Sequence, residues 1–284
     1  MIYVLASAIC SVLVSVLLKL ARRFGLDIGQ MVAWNYAAAV ALAALLLQPS
    51  LAPLQQPGAP WFALIGLGVL LPTIFLALGV SVRHAGIVRS DAAQRLSLLL
   101  SLLAAFLLFG EKLDATKALG CALGLLALLG MVWRSGQGRG EGGAAPWLWP
   151  LLVFAGFGAI DVLFKRVAAA GVPLGTSLAA MFALALPVAF VLAMWRAMHG
   201  ARFSLRNALG GLLLGLFNFG NILFYLRAHR ALPQHPALVF ASMNLGVVVL
   251  GALAGVLLFR ERLSRTNLAG LLLALLAIAL LAWA

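Results

Sequence analysis

Ten apolar runs, each near the length needed to cross a bilayer, occupy most of this sequence. A spanning α-helix needs about 20 mostly apolar residues. Of the 284 residues, 64% are hydrophobic and only 10% are charged, which is too little polar surface for a soluble domain of this length. The sequence therefore predicts an all-α, polytopic membrane protein. The predicted spans are 2–20, 31–48, 60–80, 88–109, 117–133, 147–166, 174–195, 206–226, 236–258 and 266–284.

Composition excludes several other classes. Leu, Ala and Gly predominate and no long apolar–polar alternation occurs, so helices fit better than an outer-membrane barrel. The net charge of +13 is spread over short loops rather than clustered, which argues against a nucleic-acid partner. Cys10 and Cys121 lack metal-site spacing, and neither HExxH nor GxSxG occurs. We therefore expect no cofactor, no metal and no enzymatic activity.

The second half of the chain repeats the first. An offset of 150 residues brings rare residue types into register, namely Phe109, Glu111, Thr116, Gly120 and Trp133 with Phe259, Glu261, Thr266, Gly270 and Trp283. An offset of 146 aligns Ser15 with Asp161 and Lys19 with Lys165. Five helices per copy is an odd number, so the copies would lie inverted in the membrane, as in secondary transporters. The predicted units are a first repeat (1–133), a glycine-rich linker (134–146) and a second repeat (147–284).

The ends of predicted helices four and nine carry the most specific motif. Residues 109–113 read FGEKL and residues 259–263 read FRERL, and Gly120 or Gly270 follows each. This pattern, together with Lys19, resembles the ten-helix EamA-type branch of the drug/metabolite transporter superfamily. The resemblance implies transport of amino acids, related metabolites or amphipathic drugs. It also implies a central cavity lined largely by helices 1, 3, 4, 6, 8 and 9.

Charge and resemblance predict opposite orientations in the cell inner membrane. The odd-numbered loops and adjoining helix ends carry most of the 20 Lys and Arg residues. By the positive-inside rule, both termini would then lie outside. The resemblance instead implies that both termini are cytoplasmic, and both orientations remain open.

Asp161 and Lys165 are two opposite charges inside an otherwise apolar predicted span. Residues four apart share one face of a helix, so these side chains can pair or bind a ligand together. Near the bilayer centre each charge would cost about 2.5–3.5 kcal/mol on insertion scales. We therefore expect both to face the bundle interior or a hydrated cavity.

Polar stripes on other predicted helices extend this candidate site. Helix one places Ser7, Ser11, Ser15 and Lys19 at four-residue spacing, and helix eight carries a second stripe. Gln94 in helix four matches Asn244 in helix nine through the repeat. The predicted substrate-binding residues are Asp161, Lys165, Lys19, Ser11, Ser15, Gln94, Asn244, Asn218, Asn221 and Tyr225. The alternative is that the serines and amides only pack helices together.

Two further predictions concern other charged residues, and a third concerns glycines. Asp91 and Arg95 are expected to pair with each other at the mouth of helix four. Glu111 and Glu261, at helix ends beside basic residues, are expected to be structural. The glycine pairs at 120/124, 211/215 and 251/255 have the spacing that lets helix backbones approach closely.

These observations favour a secondary transporter for a small polar or zwitterionic metabolite, working by alternating access. Asp161 would meet an amine, whereas Lys165 and Lys19 would meet a carboxylate. A proton is the candidate coupling ion, and Asp161 its candidate carrier. Efflux of amphipathic drugs or organic cations is the alternative, and would need a larger, more aromatic cavity. A non-transport membrane scaffold would need no buried ion pair.

Overall fold

The computed structural model describes residues 1–97, 99–100, 115–132, 148–232, 236–261 and 263–283. Regular structure within these ranges is helical, with a short 3-10 helix at Ala52–Gln55 and no strand. The α-helices are α1 (Ile2–Arg23), α2 (Ile28–Leu47), α3 (Trp61–Ala85), α4 (Ile87–Leu96), α5 (Ala115–Val132), α6 (Leu148–Ala169), α7 (Leu174–Met198), α8 (Leu205–Ala231), α9 (Pro236–Phe259) and α10 (Arg265–Trp283).

The all-α prediction is confirmed for the described residues. Each predicted span overlaps one of the helices α1 to α10, although residues 98 and 101–109 of predicted span 88–109 lie outside the described residues. Within the part of the chain that the structure describes, six helices are long and apolar enough to cross a membrane, namely α1, α2, α3, α7, α8 and α9. The chain is therefore a polytopic membrane protein. Ten spanning helices remain a prediction.

Local signals explain where several helices begin and end. The Asp27 side chain accepts a hydrogen bond from the Gln30 backbone N–H and so caps α2. Ser204 caps α8 in the same way, through the Asn207 N–H. Gly25 and Gly171, which follow α1 and α6, have φ angles of 64° and 73°. These are left-handed values that glycine adopts most easily, so glycine explains both turns. The two glycines are 146 residues apart and therefore occupy matching positions of the repeat.

Close helix contacts depend on glycine, as the spacing at 211/215 predicts. A Cβ at Gly215 of α8 would lie 2.6 Å from the Cβ of Ala38 and 2.7 Å from the carbonyl oxygen of Asn35. A Cβ at Gly211 would lie 2.6 Å from the carbonyl oxygen of Met31. The backbones of α2 and α8 therefore approach at a distance that only glycine permits.

Helix packing follows the same pattern in both halves of the chain. Helix α1 contacts α8 and α9, whereas α6 contacts α3 and α4. The pairs α2–α7, α4–α9 and α5–α10 also contact each other. Exchanging α1–α5 for α6–α10 leaves these contacts unchanged. Large, fully buried side chains such as Leu18, Leu64 and Met181 fill the core between the helices.

Candidate functional site

A cavity of about 450 Å³ lies between the two halves of the bundle. Its lining comes from the six helices that the resemblance implies (α1, α3, α4, α6, α8 and α9) and also from α2 and α7. Helix α2 contributes Tyr36, and α7 contributes four apolar residues that include Phe182. The volume lies within the usual range for small-molecule pockets.

Eight of the predicted site residues line this cavity. They come from five helices and are Ser11, Ser15, Gln94, Asp161, Asn218, Asn221, Tyr225 and Asn244. The helical spacing that grouped them in the sequence therefore corresponds to one shared space. Their role in binding remains a prediction.

Lys19 lies elsewhere. Its ammonium group donates a hydrogen bond to the carbonyl oxygen of Val82 at 3.0 Å and lies 3.5 Å from Glu261 Oε1. The cavity lining within the described residues does not include it. Lys19 follows Ser15 by one helical turn, which carries its side chain past the cavity to the end of α1. The structure therefore places Lys19 outside this cavity, in an ion pair with Glu261, and its role in substrate binding stays a prediction.

Lys165 belongs to α6, but its side chain lies outside the described part of the structure. The predicted pairing of Asp161 with Lys165 therefore stays a prediction. The same is true of Glu111, which lies in the range 101–114.

Arg95 is the cavity cation that the structure does describe. Its Nη2 donates to Ser11 Oγ at 2.6 Å, and Nη1 donates to Asn244 Oδ1 at 3.4 Å. It also interacts electrostatically with Asp91 and Asp161. Sequence reasoning missed this role because Asp91, one turn earlier on the same helix, seemed a sufficient partner.

Asp91 instead accepts a hydrogen bond from Ser15 Oγ of α1, at 2.6 Å. It is only 3% exposed, so it lies inside the bundle and not at the helix mouth that the sequence predicted. The reason is the junction between α3 and α4, which consists of Gly86 alone, with a φ of 94°. Of the next four residues, Ile87, Val88 and Ser90 are therefore already buried in the bundle.

Asp161 reaches the cavity from α6 and is half-buried. The Ser97 hydroxyl, just after α4, lies 3.4 Å from its Oδ2 and 2.6 Å from the carbonyl oxygen of Gln94, both of which can accept its hydrogen bond. A Cβ at Gly158 of α6 would lie 2.6 Å from Leu100, so the glycine allows this part of the chain to approach α6. The carboxylate of α6 and the guanidinium of α4 thus share one space.

The amides of α8 are held by neighbouring helices. Asn218 Nδ2 donates to Asn35 Oδ1 of α2 at 3.1 Å. The Ser7 hydroxyl lies 2.9 Å from the carbonyl oxygen of Asn221 and 2.8 Å from its Oδ1, both of which can accept its hydrogen bond. Each amide keeps further hydrogen-bonding capacity for a ligand.

The wall of the cavity contains several aromatic residues. Phe157 and Phe164 of α6 lie among its lining residues. Further aromatic residues join them from α2, α3, α7 and α8, namely Tyr36, Phe75, Phe182 and Tyr225.

The model of the EamA-like transporter family matches residues 1–133. The chain belongs to the EamA-like transporter family. It is therefore a membrane transporter of the drug/metabolite type, which the resemblance had implied. An uncharacterized protein of Haemophilus influenzae (strain ATCC 51907 / DSM 11121 / KW20 / Rd) is 41% identical over 277 residues, which cover 95% of this chain and 94% of the relative.

The crystal structure of another protein is similar in fold to this EamA-like transporter. The similarity covers 98% of this chain and 95% of the other, with a TM-score of 0.55 and 19% sequence identity. At this identity the similarity concerns the fold alone.

Proposed function

We propose that this EamA-like transporter carries a small zwitterionic metabolite, such as an amino acid or a related compound, across the inner membrane. The observation that supports this most is that Arg95 and Asp161, from two different helices, reach the same cavity. A substrate carboxylate would bind the guanidinium, and a substrate ammonium would bind the carboxylate. Gln94 and Asn218 would supply neutral hydrogen bonds around them.

Arg95 suits a carboxylate ligand. Its planar guanidinium offers five N–H donors, which match the two oxygens of a carboxylate. Its bonds through Nη1 are long, at 3.4 Å to Asn244 and 3.6 Å to the Met243 sulfur. Exchanging them for a charge-assisted bond would therefore favour binding. This assignment gives Arg95 the role that the sequence gave to Lys19.

The rest of the cavity would accept an apolar substituent. Leu71, Phe75 and Phe182 lie among its lining residues. A cavity of about 450 Å³ can enclose a medium-sized amino acid. Small zwitterions with apolar side chains therefore fit better than highly charged metabolites.

Alternating access would follow from two inverted repeats, 1–133 and 147–284, joined by the linker 134–146. The matching helix contacts of the two halves support this arrangement. So do the paired left-handed turns at Gly25 and Gly171. Rocking one repeat against the other would expose the cavity to each side of the membrane in turn.

Transport of amphipathic organic cations is the second candidate, and the aromatic wall favours it. Tyr36, Phe164 and Phe182 could contact a cation through their ring faces while Asp161 balances its charge. Arg95 argues against it, because a cation would meet the guanidinium in the same space.

Thermal unfolding of the purified protein with a panel of compounds would separate the two candidates, because a ligand of the folded state raises its apparent stability. The panel should contain L-amino acids, their decarboxylated amines, their deaminated acids and tetraphenylphosphonium. We expect a rise in Tm with amino acids and little with either truncated analogue. A rise with amines and tetraphenylphosphonium alone would favour the second candidate.

A further inference from the structure

A second carboxyl group, that of Asp91, lies beside the cavity without being part of its lining. Ser15 Oγ lies 2.6 Å from Asp91 Oδ1. Asp91 Oδ2 has no hydrogen-bond partner among the groups that the structure describes. It rests on α9 at Gly251, where a Cβ would lie 2.5 Å away. A buried carboxylate oxygen without a donor is costly, and adding a proton removes the charge.

Among the described residues, the positive charge that acts on Asp91 is that of Arg95, which Asp91 shares with Asp161. Arg95 interacts electrostatically with both Asp91 and Asp161, so one guanidinium serves two carboxylates. Within the described part of the chain, Glu261 is the other charged group that interacts with Asp91. Its own charge is balanced by Lys19 and by the N–H groups at the start of α4. The charged groups that the structure describes around Asp91 therefore provide no second cation.

We propose that Asp91 is the proton-binding site that couples proton movement to transport, separate from the substrate carboxylate Asp161. This assignment rests on the proposed function. A substrate carboxylate bound to Arg95 would balance the positive charge of the guanidinium, which would then stabilise ionised Asp91 less. The substrate ammonium would balance the negative charge of Asp161. Asp91 would then bind a proton from water, and one proton would accompany each zwitterion. Substrate and proton binding would strengthen each other, as linkage requires.

Ser15 provides the route for this proton. Ser15 is one of the cavity-lining residues, and its hydroxyl contacts Asp91 Oδ1. A proton from cavity water would bind Ser15 Oγ while the original hydroxyl proton moves to Asp91 Oδ1. Serine is unchanged afterwards, and the carboxylate has become a carboxylic acid. Release on the other side of the membrane reverses these steps.

Infrared spectroscopy of the purified protein tests the proton site without requiring a known substrate. We expect the carbonyl band of a protonated carboxylic acid in the wild type, growing as the pH falls. Asp91→Asn should remove this band, and Asp161→Asn should leave it. A band that Asp91→Asn leaves unchanged, or no band within the pH range of the folded protein, would overturn the assignment. Size-exclusion profiles check folding, and Asp91→Glu should restore a titrating band.

Proteoliposomes then test coupling, with an equimolar mixture of radiolabelled L-amino acids as the probe. The wild type should accumulate label when the outside is acidic and should carry protons inward. Asp91→Asn should still exchange internal for external amino acids but should lose accumulation driven by the pH gradient. Gradient-driven accumulation in Asp91→Asn, or wild-type uptake without proton movement, would refute coupling at Asp91 and leave the proposed function intact. If the wild type moves no amino acid, the proposed function fails, and the infrared result alone decides whether Asp91 binds a proton.

Discussion

Glu261 accepts a hydrogen bond from the backbone N–H of Ile87 at 2.7 Å, although 174 residues separate them in the chain. The carboxylate lies at the N-terminus of α4, where unsatisfied N–H groups favour a negative charge. Lys19 lies 3.5 Å away on the other side. Glycine makes room for the carboxylate, since a Cβ at Gly86 would lie 2.6 Å from Glu261 Oε2. Helices α1, α4 and α9 are thus joined at one end of the bundle.

Removing this carboxylate should destabilise the protein. Glu261→Ala leaves the Ile87 N–H and the Lys19 ammonium without their partner, and a hydrogen bond to a charged group is worth about 1.5–3 kcal/mol. We expect a loss of about 2 kcal/mol and a lower Tm in detergent. Glu261→Gln retains an acceptor for Ile87 and should lose about half as much.

The exposed ion pair between Arg196 and Asp27 provides the control. It has an N–O distance of 2.8 Å, but the Arg196 side chain is 47% exposed. Because exposed pairs contribute about 0–1 kcal/mol, Arg196→Gln should change Tm far less than Glu261→Ala. Equal losses in the two variants would show that Glu261 has no special role in joining the helices.

Neighbouring glycines on α8 allow a second test, of helix approach. A Cβ at Gly211 would lie 2.6 Å from backbone of α2, whereas one at Gly210 would meet only flexible side-chain ends at 3.2 Å or more. Gly211→Ala should therefore cost about 1–3 kcal/mol through overpacking. Gly210→Ala should be neutral or slightly stabilising, because alanine favours the helix. Similar Tm values for the two variants would contradict the close approach of α2 and α8.

Helical periodicity made much of the site predictable. Ser11 and Ser15 were grouped by their spacing on one helix, and Asn218, Asn221 and Tyr225 by theirs on another. Side chains on one face of a helix point to the same side of it. Once one residue of such a group is assigned to the cavity, the others follow. The cavity lining contains all five.

Partners contributed by other helices could not be predicted in this way. Lys19 continues the spacing of the serine stripe, but Glu261, from the far end of the chain, holds it at the helix end. Arg95 has a local candidate partner in Asp91, yet each of them bonds to a different serine of α1. The partners of Asp91 and Arg95 depend on how deep in the bundle α4 begins, and the sequence pattern does not specify that depth.

Arg95→Lys should weaken amino-acid binding while the protein remains folded. Lysine keeps the charge but loses the planar arrangement of donors that suits a carboxylate. A lost charge-assisted hydrogen bond of about 1.5–3 kcal/mol corresponds to about 10- to 150-fold in affinity. Arg89→Lys is the matched control, because Arg89 lies on the same helix and donates to Asn267 of α10 at 2.9 Å. Calorimetric titration with each amino acid that raises the Tm of the wild type measures both. Equal affinities in the two variants would remove Arg95 from the site.

Asp161→Asn is the most direct test of the proposed substrate site. The substitution keeps the size of the side chain and removes its negative charge, so a substrate ammonium would lose its counter-ion inside the bundle. We expect transport of the amino-acid mixture in proteoliposomes to be abolished. Tm without ligand should change little, because the contact of this carboxylate with Ser97 is long, at 3.4 Å, and Arg95 retains its interaction with Asp91. Asp161→Glu should recover part of the activity, since it restores the charge at a slightly different position. Normal transport by Asp161→Asn would show that the ammonium binds elsewhere, and zwitterion recognition by Asp161 and Arg95 would have to be abandoned.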